Sequence, residues 1–544
     1  MQALAFPAES KKRDIQVSYT NNVRNSHQPI AIQHARQLIV QVADNWRPYP
    51  VMTPHRQAMQ QVVELFQCRL QQGFCQLIMM ACIGYVVAIP LPAAAQNSDL
   101  PELETSASRH LNTVQERRIG QGFYRRLLAS PRFVEDYLLQ HYIQSIGNRI
   151  SQHSDLRGVE PVFSLYQDNA VNAYAVPGGY ITLYTGLVLA AERESELAAV
   201  VAHEIAHLTQ RHLPRMLERQ SAQKLPTMAA LLASLVVGGE VGVAGATAAI
   251  GASASSQLAY SREFEREADA IGIRLLADSG FDPMAMPDFF EKLDRTSIHS
   301  GRGIPEYLRT HPLSHARMAA SQDRAASYPA WEPQVSLDFF LATARIRALL
   351  STDQQEPISV FQHEADSESR IIQIAARYGK AVIRYEEGEI EQALTAIRPL
   401  SAQFPEHPWI QSLHAQIEFA SGRADQAIER YQNALETNPE ALYLHYLLAE
   451  AYLENGQPEK ALRLIRKQVR RNPNNLTLYQ VQKEIHIALE QLAEADQSIV
   501  EYLVLLGDYE QAISVLKRAL RQTPDEGYLR QSLEARIAEL EEKI

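Results

Sequence analysis

From Pro161 to Ala191 apolar and polar residues alternate, with Tyr, Val, Ile and Thr prominent and Pro177-Gly178-Gly179 breaking the run. A period of two interrupted by turn residues predicts a strand, a turn and a second strand over Tyr180–Tyr184. The pattern then becomes helical. Leu197, Val200, Val201, Ile205 and Leu208 recur at helical spacing, with acidic residues at the start and Arg and His towards the end. A second helix is predicted in "YSREFEREADAIGIRLLADSG", which closes on Gly280. Between the two helices, Met228–Leu258 is apolar, rich in small residues and broken at Gly238-Gly239-Glu240. It is too interrupted to span a membrane and predicts two short packed helices or a mobile flap.

Beyond Asp366 the chain turns to amphipathic helices that repeat. Gly388, Gly422 and Gly456 are 34 residues apart, as are Ala393, Ala427 and Ala461, then Pro405, Pro439 and Pro473, then Ala381, Ala415 and Ala449. A 34-residue helix-turn-helix period, with small residues where helices touch, Gly at the turn and Pro where a helix stops, is the tetratricopeptide signature. After Pro473 the register is expected to shift, because Gly507, Ala512 and Pro524 lie 51 residues beyond their counterparts. Divergent helices, a further repeat-like hairpin and a capping helix ending at Ile544 should follow.

Composition changes this picture only at the N-terminus. The 544 residues, 46% hydrophobic and 21% charged, are those of an ordinary globular protein of several domains. One segment, "CQLIMMACIGYVVAIPLPAAAQ", carries a 13-residue apolar run, Leu77–Ile89, and then small residues. That is the design of a secretory signal peptide, with cleavage after Ala95 at an A-x-A site. An uncleaved anchor is the alternative, but a spanning helix needs roughly 20 apolar residues. About 70 residues precede the run, which points to a true start at Met52 or Met59. Cys68, Cys75 and Cys82 all precede the cut, so the mature chain would hold no thiol and any metal site must use His and carboxylate. The surroundings of Cys82 make a poor lipobox. Residues 1–95 contain eight basic and four acidic side chains, so the net charge falls from -11 to -15 on cleavage. So acidic a chain excludes nucleic acid as a partner attracted by its field.

The candidate chemistry lies in "VVAHEIAHLTQRH". On a helix, residues i and i+4 share a face, so His203 and His207 can present nitrogens to one ion while Glu204 turns towards a substrate. Two ligands do not hold a catalytic zinc; such sites take three and leave a fourth position open. The second helix offers Glu265 and Asp269, again at i and i+4. Glu265 is assigned as the third ligand and Asp269 as the acceptor that orients a ligating imidazole. Glu263 and Glu267 are turned about 200° around the axis and face away. A solvated acidic face, salt-linked to Arg262 and Arg266, is the plainer alternative.

Together "HEIAH", "NAYAVPGGYITLYTGL" at Asn172–Leu187, "SREFEREADAIG" at Ser261–Gly272 and "THPLSHAR" at Thr310–Arg317 resemble the gluzincin peptidases of the CAAX-prenyl-protease and heat-shock-protease type. The leader and the repeats narrow the resemblance to the periplasmic members that tend outer-membrane β-barrel assembly. It covers about residues 110–544; the N-terminal extension is unmatched and the later repeats are irregular. The resemblance implies a mainly α protein: an α+β zincin-like metallopeptidase domain with a small β-sheet, followed by an α-solenoid of tetratricopeptide repeats. The expected division is an N-terminal extension at 1–70, a signal peptide at 71–95, the metallopeptidase domain at 96–330, linker helices at 331–370 and repeats at 371–544. One Zn2+ per subunit is implied, on His203, His207 and Glu265, the family's third ligand being the Glu that opens Glu-x-x-x-Asp. Glu204 would act as general base, and Tyr180, Ile181 and Thr182 as an edge strand on which an extended peptide lies. In such proteases the residue matching His311 fills the fourth metal position and holds the enzyme off, with Arg317 supporting the loop or the transition state. By spacing alone, His311 could equally sit at a helix entry ahead of Pro312.

The expected function is a zinc endoprotease in the periplasm of a Gram-negative bacterium, with a chaperone-like role in the assembly and quality control of outer-membrane β-barrel proteins. Its implied partners are unfolded or misassembled outer-membrane β-barrel proteins and, through the repeats, the β-barrel assembly machinery. Peripheral membrane association is compatible with this. A repeat-based scaffold or chaperone with a latent protease site, and a membrane-embedded prenyl-type protease, are the competing readings.

Overall fold

The computed structural model describes residues 112–156, 158–219, 260–299, 305–332, 334–350, 355–523 and 527–544. The leader, the N-terminal extension and the Met228–Leu258 segment lie outside them. Two helices open the fold: α1, Thr113–Ala129, started by a capping box between Asn112 and Gln115, and α2, Tyr137–Ser151, capped by Asp136. Strands β1 (Val162–Tyr166), β2 (Ala173–Val176) and β3 (Tyr180–Tyr184) form one sheet in the order β1-β3-β2. β2 and β3 are the predicted hairpin, antiparallel with Tyr174 opposite Thr182, and β1 pairs parallel to β3. This corrects one expectation. Tyr180, Ile181 and Thr182 lie on the central strand, with both backbone edges already paired, and cannot serve as an edge. The strands that border the sheet are β1 and β2.

A short helix α3 (Thr185–Ala190) leads to α4 (Glu194–Thr209), in which every residue from Glu196 to His207 is buried. Its predicted amphipathic stripe is only part of the surface it hides, because α4 is the central helix of this half. α5 (His212–Arg219) follows, and later α6 (Arg262–Asp278), α7 (Ala285–His299), the one-turn α8 (Glu306–Thr310) and α9 (His315–Ala325). α6 lies directly on α4 because Gly272 lets it. A Cβ there would come within 3.3 Å of the His203 backbone nitrogen and 2.7 Å of the Met286 methyl. This close approach sets the height at which Glu265 and Asp269 meet the two histidines.

α10 (Leu337–Leu350) and α11 (Gln355–Glu364) occupy the stretch expected to hold linker helices. α10 contributes to the core, with Phe339, Leu341 and Ile346 buried. Its buried Arg345 reaches the α2 cap, Nη2 lying 2.6 Å from Asp136. The repeats then run as α12 (Arg370–Glu386) and α13 (Ile390–Gln403), α14 (Pro408–Ala420) and α15 (Ala424–Thr437), α16 (Leu442–Glu454) and α17 (Pro458–Arg471), and α18 (Leu476–Ala488) and α19 (Leu492–Leu505). The alanine columns are buried throughout. Gly388, Gly422 and Gly456 take left-handed φ of 77°, 81° and 68° at the turns.

The register does not break after Pro473. α14, α16 and α18 start 34 residues apart, as do α15, α17 and α19. Glu490 occupies the turn position held by glycine in the earlier repeats, at φ 58°, and Ala495 continues the buried column. The sequence pattern hides this extra repeat because a carboxylate stands where it requires glycine. α20 (Tyr509–Gln522) and α21 (Tyr528–Glu541) close the array around Leu503, Leu516, Leu533 and Ile537. The solenoid packs on the first two helices: Tyr137 donates to Glu450 at 2.8 Å, Tyr142 meets the Trp409 ring edge-on, and Arg125 donates to the Leu506 carbonyl at 2.7 Å.

Candidate metal centre

His203 and His207, one turn apart on α4, point the same way, and α6 brings Glu265 against them. The His203 and His207 Nε2 atoms are 3.0 Å apart, and each lies 3.5 Å from a Glu265 oxygen. His311, the residue that ends α8, completes the group: its Nδ1 is 3.3 Å from His203 Nε2 and 3.0 Å from Glu265 Oε1. All four donor atoms lie within 4.8 Å of one another. His311 is not a helix entry, because the next helix is capped by Ser314 and begins at His315. All four side chains are at most 2% exposed.

This donor set fits a metal. A tetrahedral ion with bonds of about 2 Å has ligand separations of about 3.3 Å. The orientation of the rings gives a second argument. His203 turns its Nδ1 to Asp269 Oδ1 at 3.1 Å, which leaves its Nε2 facing the group. His207 turns its Nδ1 to His212 Nδ1 at 2.9 Å, which likewise leaves its Nε2 facing the group. Two imidazole nitrogens and a carboxylate aimed at one buried point are a donor set that suits a cation.

Burial and close charges shift the groups at this point. Burial pushes the Glu204 carboxyl up from the ordinary carboxylate range, with His311 and His203 pulling against it. Glu265 and Asp269 are held low against their burial, Glu265 by His311 and Arg317, Asp269 by Arg317. Burial drives His207 well down, whereas Asp269 and Glu265 outweigh burial at His203 and hold it up at about 9. Metal uptake then releases the His203 proton. Arg317 grips Asp269 at 2.5 and 2.7 Å, lies 2.6 Å from Glu265 Oε2, and donates to the Pro312 carbonyl at 3.2 Å. One buried guanidinium thus ties the carboxylates to the His311 loop.

Glu204 follows His203 and is not one of the four donors. His311 Nε2 lies 3.4 Å from its Oε1, so His311 spans the metal donors and the Glu204 carboxylate together. Glu263 is exposed, as expected of a residue turned away. Glu267 also points elsewhere, but it meets His212 Nε2 and Arg215 Nη1, each at 3.1 Å. Sequence reasoning misses His212, Tyr260 and Tyr307. The Tyr260 ring lies 4.1 Å from the His207 ring, and Tyr307 stacks on His311 at 4.5 Å. Nothing in their spacing singles them out.

Residues 138–325 match Peptidase family M48 and residues 418–485 match a tetratricopeptide repeat. The β-barrel assembly-enhancing protease of Escherichia coli K12 is 35% identical over 346 residues, 63% of this chain and 70% of its own length. The chain belongs to peptidase family M48. It is a metallopeptidase. The putative β-barrel assembly-enhancing protease of Vibrio cholerae is 36% identical over 59% of this chain and 68% of its own length. The mitochondrial metalloendopeptidase OMA1 of Schizosaccharomyces pombe is 28% identical over 39% of this chain and 63% of its own length. Among the described residues, no helix is long and apolar enough to cross a membrane.

Proposed function

We propose that this chain is a periplasmic zinc endoprotease that acts on unfolded or misassembled outer-membrane β-barrel proteins, with its repeats docking it to the barrel-assembly machinery. The observation that carries the catalytic part is the convergence of four buried donor atoms beside Glu204. His203, His207 and Glu265 hold one Zn2+, and Asp269 fixes the His203 imidazole. Zinc on such a set supplies a Lewis acid that polarises the scissile carbonyl and lowers the pKa of a water. Glu204, raised by burial, takes the proton of the attacking water and passes it to the leaving amine.

An extended peptide lies along β2, which borders the sheet and whose Ala175 backbone faces Glu204. Such pairing selects chains whose backbone is free, and a stalled barrel strand is one. His311 is a removable inhibitory ligand: it takes the fourth donor position and contacts Glu204, so productive binding requires it to leave. Arg317 supports the loop that carries it. The relatives' names and the repeats support the assignment of clients and docking; the predicted leader supports the periplasm.

Glu204→Gln should keep its zinc and lose casein hydrolysis by roughly a hundredfold or more; a clean preparation that still cleaves would overturn the mechanism. The engaged His311 also favours a second reading, a scaffold or chaperone with a latent protease. Full barrel assembly in cells carrying only Glu204→Gln would support it.

A further inference from the structure

His212 stands five residues after His207. On a continuous helix that spacing turns two side chains about 140° apart, and they could not meet. They meet because the helix breaks between them. α4 ends at Thr209, and Arg211 adopts a left-handed φ of 50°, with its guanidinium ion-paired to Glu116 on α1. A new helix, α5, starts at His212, which is fully buried with its ring stacked on Phe264 at 4.5 Å and 18°. From there Nδ1 faces His207 Nδ1 at 2.9 Å and Nε2 faces Glu267 Oε2 at 3.1 Å.

With His207 Nε2 given to a metal, one arrangement of neutral rings satisfies both contacts. His207 offers Nε2 to the metal donors, so its proton is on Nδ1 and is donated to His212. His212 accepts at Nδ1 and must carry its own proton on Nε2, which it donates to Glu267. We infer that His212 is a positioning residue for the metal centre, a neutral imidazole that relays the orienting charge of Glu267 to His207 and fixes its tautomer and ring plane. The inference rests on the metal-site reading above. The two metal-binding histidines are thus supported differently: His203 directly by Asp269, His207 through an intervening ring. The relay also explains why a residue whose helical position faces away from the metal, Glu267, is partly buried beside a histidine. Arg215 also reaches Glu267 Oε2, at 3.1 Å, and helps to hold the carboxylate in place.

The test uses the full chain and zinc, with affinity read by competition against a chromogenic chelator and geometry read from the visible spectrum of the Co2+-substituted protein. His212→Phe keeps the stacking and removes the acceptor; it should weaken zinc 10–100-fold and shift the Co2+ bands. His212→Asn, whose side-chain oxygen falls near the Nδ1 position, should restore affinity to within a few-fold of the parent. Glu267→Gln, at a half-buried position that tolerates change, should weaken zinc by itself and add nothing to His212→Phe. Parent-like affinity in His212→Phe, equal losses in the Phe and Asn variants, or additive losses with Glu267→Gln would each overturn the relay. If His212→Phe does not fold, Glu267→Gln decides alone: unchanged affinity and spectrum refute the relay. A folded parent that binds no zinc refutes the metal-site reading itself, a separate result.

Discussion

Arg317 and Arg345 are both 3% exposed and both grip a buried aspartate, yet they do opposite things. Arg345 faces Asp136 at 2.6 Å with the Tyr378 hydroxyl at 3.3 Å, and the second Asp136 oxygen caps α2 through the Leu139 amide. One charge meets one charge. Arg317 is set against two buried carboxylates, Asp269 and Glu265, with the nitrogens of His203, His207 and His311 turned into the same space. The first network is closed and structural. The second brings imidazole nitrogens and carboxylate oxygens to one buried point, which is how a folded protein holds a place for a cation.

The contrast between the two arginines breaks most visibly on removing the closed pair. Arg345→Met leaves Asp136 buried and unpaired, and should cost about 3–5 kcal/mol of stability in urea unfolding, while zinc affinity per folded molecule stays at the parent value. An equal loss of affinity would mean that the two networks are one unit.

Acid sharpens it next, because the repeats also carry buried histidines. Burial, helped by Arg430, pushes His414 down to about 4, while its unfolded value is near 6.5. The folded chain therefore binds fewer protons than the unfolded chain between those values. The His414 contribution to stability is present above pH 6.5, is lost as pH falls through that value, and stops declining near pH 4. His414→Gln should flatten the fall in urea midpoint between about pH 7 and pH 4; an unchanged slope would mean that His414 plays no part in it.

The smallest effects test the turn column. A side chain at Gly456 would meet only open space, so Gly456→Ala should cost only the left-handed backbone penalty, about 1–2 kcal/mol. Glu490→Gly should gain up to about 1 kcal/mol, part of the relief being offset by a freer unfolded chain. Opposite signs in thermal unfolding confirm that Glu490 holds a glycine position.

What the sequence discloses follows from the range of each interaction. The repeats are legible because a column at a fixed interval reports local packing, and the one repeat it misses is the one whose glycine is replaced. His203, His207, Glu265 and Asp269 are legible because four-residue spacing places side chains on one helix face. The central place of β3 is not, since parallel pairing with β1 is set by the whole sheet. His212 is not, since its role depends on a helix break that the interval of five conceals. Tyr260 and Tyr307 meet the histidines only through the tertiary arrangement of α6 and α8.

Whether the convergent donors hold a catalytic metal is tested most directly by elemental mass spectrometry on the purified chain and on Glu265→Gln, with casein hydrolysis followed in both. About one zinc per parent chain is expected, greatly reduced in the variant together with its activity. A folded parent free of metal, or a variant that keeps both zinc and hydrolysis, would contradict it.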